Sequence, residues 1–213
     1  GRKAGSRMIS RKLDMSVYPR KAHFDYFRSL AYPYVGLTAN VDVTVLAERA
    51  RKNQESFFLH VLYAVGKAAN ETPEFRQRIA GDEIVEFDNC PTSHTVMKPD
   101  GTYAYCEADP SLPWPVFLRE TARRQEEAIH DGSIEEAGDP RSLLFISCLP
   151  WLNYTALQQP VPCPADSNPR ITWGRYEKSA GRLLMPITVL VNHALVDGRQ
   201  IADFYERLNA RIL

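Results

Sequence analysis

The run Met185-Pro-Ile-Thr-Val-Leu-Val-Asn-His193-Ala-Leu-Val-Asp197-Gly198 constrains this chain more than any other. It is an apolar strand candidate that ends at a histidine and then turns at Asp-Gly. Ile201, Phe204, Tyr205 and Leu208 resume the helical period after Gly198, so the pattern calls for a sheet strand feeding a helix that packs back on it. A base at the end of such a strand is positioned by packing rather than by a mobile loop, as proton transfer requires. Of the five histidines, His193 is the candidate base.

The rest of the chain supplies partners for that strand. Pro19 to Leu30 carries Phe24, Phe27 and Leu30 at helical spacing behind a proline suited to a helix start. Tyr34 to Val45 alternates through Leu37, Ala39, Val41 and Val43, the period of a half-buried strand, with its polar positions directed to solvent or to another subunit. Ser56 to Asn70 reads as a helix with a broad apolar stripe and Glu74 to Ile79 as a further short helix. Ile84 to Phe87, Ser93 to Met97 and Thr102 to Glu107 read as short strands. Trp114 to His130 predicts a helix that leaves at Asp131-Gly132. Leu143 to Leu149 predicts a strand, and Pro150 to Pro169, with five prolines, a long surface or substrate-facing loop. Ile171 to Glu177 and Arg182 to Val191 flank Ser179-Ala180-Gly181 as an antiparallel hairpin. One sheet with helices packed against it, a mixed α/β layer structure, buries these faces.

At 213 residues with a hydrophobic fraction of 44%, the chain has material for one substantial core, expected as a single domain over 8–213. Residues 1–7, ahead of Met8, show no periodicity and read as a leader outside that domain. Twenty-six basic and twenty-six acidic residues cancel, which leaves no global field favouring nucleic acid or an anionic membrane. No run is long and apolar enough for a bilayer span, so the expected location is cytoplasmic. Cys90, Cys106, Cys148 and Cys163 form no C-x-x-C pair and are expected as free thiols. There is no G-x-G-x-x-G after a first strand and no phosphate-binding G-x-x-x-x-G-K-S/T.

The residues themselves leave several roles open. His193 can accept a proton near neutral pH, since a free imidazole titrates near about 6.5. Asp197 could cap amides of the following helix or pair with a cation, and either fits better than a direct catalytic dyad with His193. No third ligand accompanies the two, so no metal site is expected. Ser147 could donate to an oxyanion formed in acyl transfer, or satisfy a strand-end backbone group. Cys148 should face away from Ser147 and behave as an inert thiol.

Asn192-His193-Ala194-Leu195-Val196-Asp197-Gly198 resembles the H-H-x-x-x-D-G motif of type A chloramphenicol acetyltransferases and their CoA-dependent acyltransferase relatives. Three further stretches share the likeness: Arg20-Lys21-Ala22-His23-Phe24-Asp25-Tyr26-Phe27, Ile146-Ser147-Cys148-Leu149-Pro150-Trp151 and Ile171-Thr172-Trp173-Gly174-Arg175-Tyr176. Together they extend it from about residue 12 to 210. The resemblance implies a two-layer α/β sandwich with a mixed sheet, assembled as a homotrimer with active sites at the subunit interfaces. It implies acetyl-CoA as acyl donor, His193 as general base toward an acceptor hydroxyl, and Ser147 as oxyanion donor. Thr172 is then expected to help hold the intermediate, Tyr176 to contact the CoA side, and Asp197 to pair with Arg20 in support of the site's shape.

Two departures accompany the likeness. The first histidine of the motif is Asn192 here, and Phe27, Ala31 and Val35 stand at acceptor-pocket positions where drug-modifying enzymes tend to carry a tyrosine or bulkier apolar residues. Chloramphenicol is the leading acceptor by resemblance. Another hydroxylated small molecule, or a trimeric CoA-binding protein with weakened turnover, is the alternative.

Overall fold

The computed structural model describes residues 9–131 and 139–212. The expected leader and the exit at Gly132 lie outside the described residues. The expected strand is β10 (Arg182–Asn192), and it sits between β2 (Tyr34–Asp42) and β8 (Arg170–Gly174), antiparallel to both. β7 (Leu144–Leu149) runs parallel to β8 and to β5 (Thr92–Met97), and β6 (Tyr103–Ala108) closes the far edge. The order β2-β10-β8-β7-β5-β6, with short β9 (Glu177–Ser179) also on β10, makes a mixed sheet. A small antiparallel sheet of β1 (Ser10–Lys12), β4 (Glu83–Phe87) and β3 (Gln77–Ala80) stands beside it.

The two faces of the main sheet differ in chemistry. Ile146, Ile171, Trp173, Ile187, Val189 and Val191 form the buried face. They share one core with Phe24 of α1 (Lys21–Arg28), Leu46 of α2 (Thr44–Lys52), Leu62 of α3 (Phe57–Asn70) and Phe204 of α5 (Gly198–Ile212). α4 (Trp114–Asp131) packs against β6 and buries Phe117 and Thr121. Residues of opposite parity, Ser147, Thr172, Thr188 and Thr38, project from the other face in register across four strands. One side of the sheet is therefore oil-like core and the other carries hydroxyls.

Three stretches depart from the expected elements, one through a local side-chain cap and two through tertiary contacts. The strand from Tyr34 ends at Asp42, whose Oδ1 accepts the Thr44 amide at 3.0 Å and the Thr44 hydroxyl at 2.6 Å. The spacing of Val43, Leu46 and Ala50, all buried, then follows a helix rather than a strand. Glu74 to Ile79 is not a helix: one 3-10 turn, Pro73–Arg76, gives way to strand β3. There the fully buried Arg78 donates to the carbonyls of Phe75, Gln77 and Arg141 at 2.8, 2.7 and 2.6 Å. Those carbonyl acceptors satisfy the buried guanidinium. The hairpin arm expected as one strand over 171–177 breaks after Gly174 into β8 and β9.

Gly174 breaks because the long loop folds back onto it. The Arg175 amide donates to the Leu152 carbonyl at 2.7 Å. A Cβ on Gly174 would lie 2.4 Å from that carbonyl oxygen and 2.9 Å from the Tyr154 ring. The β9–β10 turn is Ala180-Gly181, with φ of 51° and 79°, the mirror-image turn that suits a twisted hairpin. We predict that Gly174→Ala costs about 1–3 kcal/mol by forcing the loop off the sheet. Urea unfolding at fixed protein concentration checks this, and unchanged stability contradicts the described packing.

Candidate active site

The turn after β10 is fixed by backbone bonds on all sides. The His193 amide donates to the Pro33 carbonyl at 2.7 Å, and the amides of Leu195 and Val196 donate to the Asn192 carbonyl at 3.0 and 3.1 Å. The His193 ring stacks on Phe27 of α1, with centroids 3.8 Å apart and planes 6° from parallel. His193 Nδ1 is buried and has no hydrogen-bond partner among the described residues.

Asp197 holds both positions that the sequence left open. Its Oδ1 accepts the Arg199 amide at 3.0 Å while its own amide donates to Gln200 Oε1 at 2.9 Å, a reciprocal cap at the start of α5. Its Oδ2 lies 3.4 Å from Arg20 Nε, an ion-pair distance without hydrogen-bond alignment. Arg20, just before α1, also donates to the Ala194 carbonyl at 3.5 Å. Helices α1 and α5 are thereby tied together under the histidine turn.

The second group of expected site residues lies on the hydroxyl face. Ser147, exposed, shares a 2.6 Å hydrogen bond with the buried Thr172. Tyr154, from the proline-rich loop, donates its single hydroxyl proton to the Thr172 carbonyl at 3.1 Å and lies 2.9 Å from Thr188 Oγ1. Thr188 must then donate to Tyr154, and Thr38, 2.7 Å from Thr188, must donate to it in turn. Thr38 is left as an acceptor toward a cleft of about 570 Å³ that it lines with Tyr32, Thr188, Leu190 and loop residues 155–159. Thr38, Thr188 and Tyr154 were not singled out from sequence. The two threonines were visible as polar positions in apolar strands, whereas Tyr154 had no local signal.

Ser147 and His193 do not meet within one chain. Ser147 is in register with Thr172 and Thr172 with Thr188, which precedes His193 by five residues on β10. Two strand spacings across and five residues along place the two groups roughly 20 Å apart. Of the acceptor-pocket candidates, Phe27 touches His193, Val35 packs against the core, and Ala31 is exposed. None of the three lines the 570 Å³ cleft. Tyr176 lies on the bend between β8 and β9, its ring edge-on to Phe57 at 5.3 Å.

The other candidates for chemistry are accounted for. Cys148 turns to the side opposite Ser147 and packs against the core, and burial pushes its thiol up to about 11, which suppresses the thiolate. The four cysteines are free. Burial holds His94 down at about 4, so it is a neutral core residue beside Gln125. His60 is bonded to Glu55 at 3.0 Å. Among the described residues no group of three or more histidine, cysteine or acidic side chains is placed to hold a metal ion, and no helix is long and apolar enough to cross a membrane.

A sequence model described as chloramphenicol acetyltransferase matches residues 8–209. The chain belongs to the chloramphenicol acetyltransferase family. Chloramphenicol acetyltransferase 3 of Escherichia coli is 28% identical over 200 residues, covering 92% of this chain and 94% of the relative. A Streptomyces acrimycini chloramphenicol acetyltransferase is 28% identical over 204 residues, covering 92% and 91%. A solved chloramphenicol acetyltransferase structure superposes with a TM-score of 0.83 at 29% identity, covering 96% of this chain and all of the other. A probable dihydrolipoamide acetyltransferase from Listeria monocytogenes shares the fold, with a TM-score of 0.70 at 16% identity.

Asp197 serves as helix cap and ion-pair partner, and substitutions separate the two. Asp197→Ala removes both and is expected to cost about 1–2 kcal/mol, whereas Asp197→Asn keeps the capping oxygen and should cost less than about 1 kcal/mol. Urea unfolding of the two variants side by side checks the order. Equal losses contradict a capping role.

Proposed function

We propose that this protein is an acetyl-CoA-dependent O-acetyltransferase whose acceptor is chloramphenicol or a closely similar small-molecule alcohol. The observation that carries the reading is the fixed His193 turn in a chain that matches this family from residue 8 to 209. The acceptor hydroxyl gives its proton to His193 as its oxygen attacks the thioester carbonyl. Ser147 donates its Oγ–H to the oxyanion that forms, and Thr172 can turn its own proton toward Ser147 Oγ to strengthen that donor. Collapse of the intermediate expels the CoA sulfur, which takes the proton from the imidazolium and leaves the acetyl ester. Phe27 holds the plane of the ring by stacking on it.

Because His193 and Ser147 lie far apart in one chain, the reading needs a second copy, and in the homotrimer that the family resemblance implies His193 of one copy faces the hydroxyl row of the next. Two features of the Ser147 face support this. Met97 and Tyr103 there are each 56% exposed and Tyr105 is 48% exposed, an apolar surface of the kind that subunits cover. Ser147 itself is open rather than closed off by its own chain. Tyr176 and Phe57 then form the CoA side, and residues 8–213 act as a single catalytic domain. Arg20 and Asp197 support the base without touching substrate. Four free thiols suit a reducing cytoplasm, where acetyl-CoA is available.

Thiol release from acetyl-CoA in the presence of chloramphenicol tests the assignment, and the absence of product above background contradicts it for this drug. A panel of other alcohols then decides the wider class. His193→Ala should lower turnover by several orders of magnitude. Ser147→Ala should lower it about 10²–10³-fold, as expected for loss of one oxyanion donor. Undiminished turnover in His193→Ala contradicts its role as base.

A further inference from the structure

Asn192 stands where the family motif carries its first histidine, and its side chain is occupied at both ends. It is 3% exposed at the last position of β10. Its Oδ1 accepts the Ala194 amide at 3.0 Å, and its Nδ2 donates to the Asp166 carbonyl at 3.1 Å. With the two amides that its own carbonyl receives, Asn192 binds three of the four backbone N–H groups from His193 to Val196; the fourth, that of His193, goes to Pro33. The loop that Asn192 grips is itself held. The Asp166 carboxylate takes both Arg170 Nη atoms at 2.8 Å and accepts the Tyr34 hydroxyl at 3.0 Å, while the Asp166 amide donates back to the Tyr34 oxygen at 3.0 Å. Burial first, and the Asp166 charge next, push the Tyr34 phenol up to about 12, so it stays a donor at neutral pH.

We propose that Asn192 is a positioning residue that sets the orientation of His193 by clamping the turn to the 166–170 segment. The proposal rests on the reading of His193 as the base. Two backbone groups of opposite kind face the side chain, an N–H and a C=O. A carboxamide meets both from one carbon and stays neutral. Alanine leaves both unpaired, and aspartate sets an oxygen against the Asp166 carbonyl. Histidine can still accept from the Ala194 amide through Nδ1, which is attached at the same distance from Cβ as Asn Oδ1, but presents a carbon to Asp166. The clamp therefore carries two restraints, of which the motif's usual residue can supply one. Because the His193 ring stacks on Phe27 and its Nδ1 has no hydrogen-bond partner among the described residues, a loosened turn lets it tilt away from its acceptor.

The test compares the full-length protein with Asn192→Ala, Asn192→Asp and Asn192→His, following the ring C–H resonance of His193, assigned by its loss in His193→Gln. Asn192→Ala should split or broaden that resonance and leave those of the other histidines in place. Asn192→His should keep it single. In thiol-release kinetics Asn192→Ala should lower kcat about 10–100-fold, with KM for acetyl-CoA and chloramphenicol within about twofold, and Asn192→His should recover most of the loss. An unchanged His193 resonance in Asn192→Ala overturns the proposal, as does equal broadening of all histidines, which marks a general loss of structure. If Asn192→Ala does not fold, Asn192→Asp decides on the same terms. Should His193→Gln retain turnover, the base reading falls while the resonance comparison still decides the positioning.

Discussion

Everything at the candidate site depends on the pairing of β10 with β2 on one side and β8 on the other. The pairing sets a parity. Ile187, Val189 and Val191 enter the core, so Thr188, Leu190 and Asn192 must take the other face. A shift of one residue would set the threonine and asparagine among the apolar side chains of the core and the valines among the hydroxyls of the other face. The same register that secures the core thus delivers Asn192 to the 166–170 segment and His193 to Phe27. It also sets Thr188 in line with Thr172 and Ser147.

The strand-end histidine, the helix after Gly198 and the alternating strand from Tyr34 could be read from sequence because each is a local pattern with a fixed period. Arg20 with Asp197, 177 residues apart, came only through family likeness; spacing alone left Asp197 between a cap and an ion pair, and the structure gives it both. Other features had no local trace. The break at Gly174 comes from the backbone of Leu152 pressing on it, and the extended course of β3 from the carbonyls gathered by Arg78. Tyr154 joins the hydroxyl row from a proline-rich loop without a recognisable period. Asn192 looked like a lost histidine, and only the positions of Ala194 and Asp166 show that it acts as a two-ended clamp. Periodicity reports which face is buried; it does not report which distant backbone group a polar side chain will meet.

The chemistry is divided in the same way as the sheet. His193 lies at the end of β10, held from behind by α1 and α5, whereas Ser147, the proposed oxyanion donor, lies mid-strand on β7 and shares a hydrogen bond with Thr172 in the hydroxyl row. Each half is rigid in a single chain, and in the proposed reaction neither half suffices alone. An assembly of identical copies can therefore form the site from two preorganised surfaces without either having to move far.

Co-expression of differently tagged His193→Ala and Ser147→Ala chains, followed by tandem purification of the mixed oligomers, tests this division most directly. If base and oxyanion donor come from different copies, each mixed trimer carries about one interface in three with both native residues. Turnover should then rise far above that of either parent, toward about a third of the unmodified enzyme. Mixed oligomers no more active than the two parents would contradict a site shared between copies.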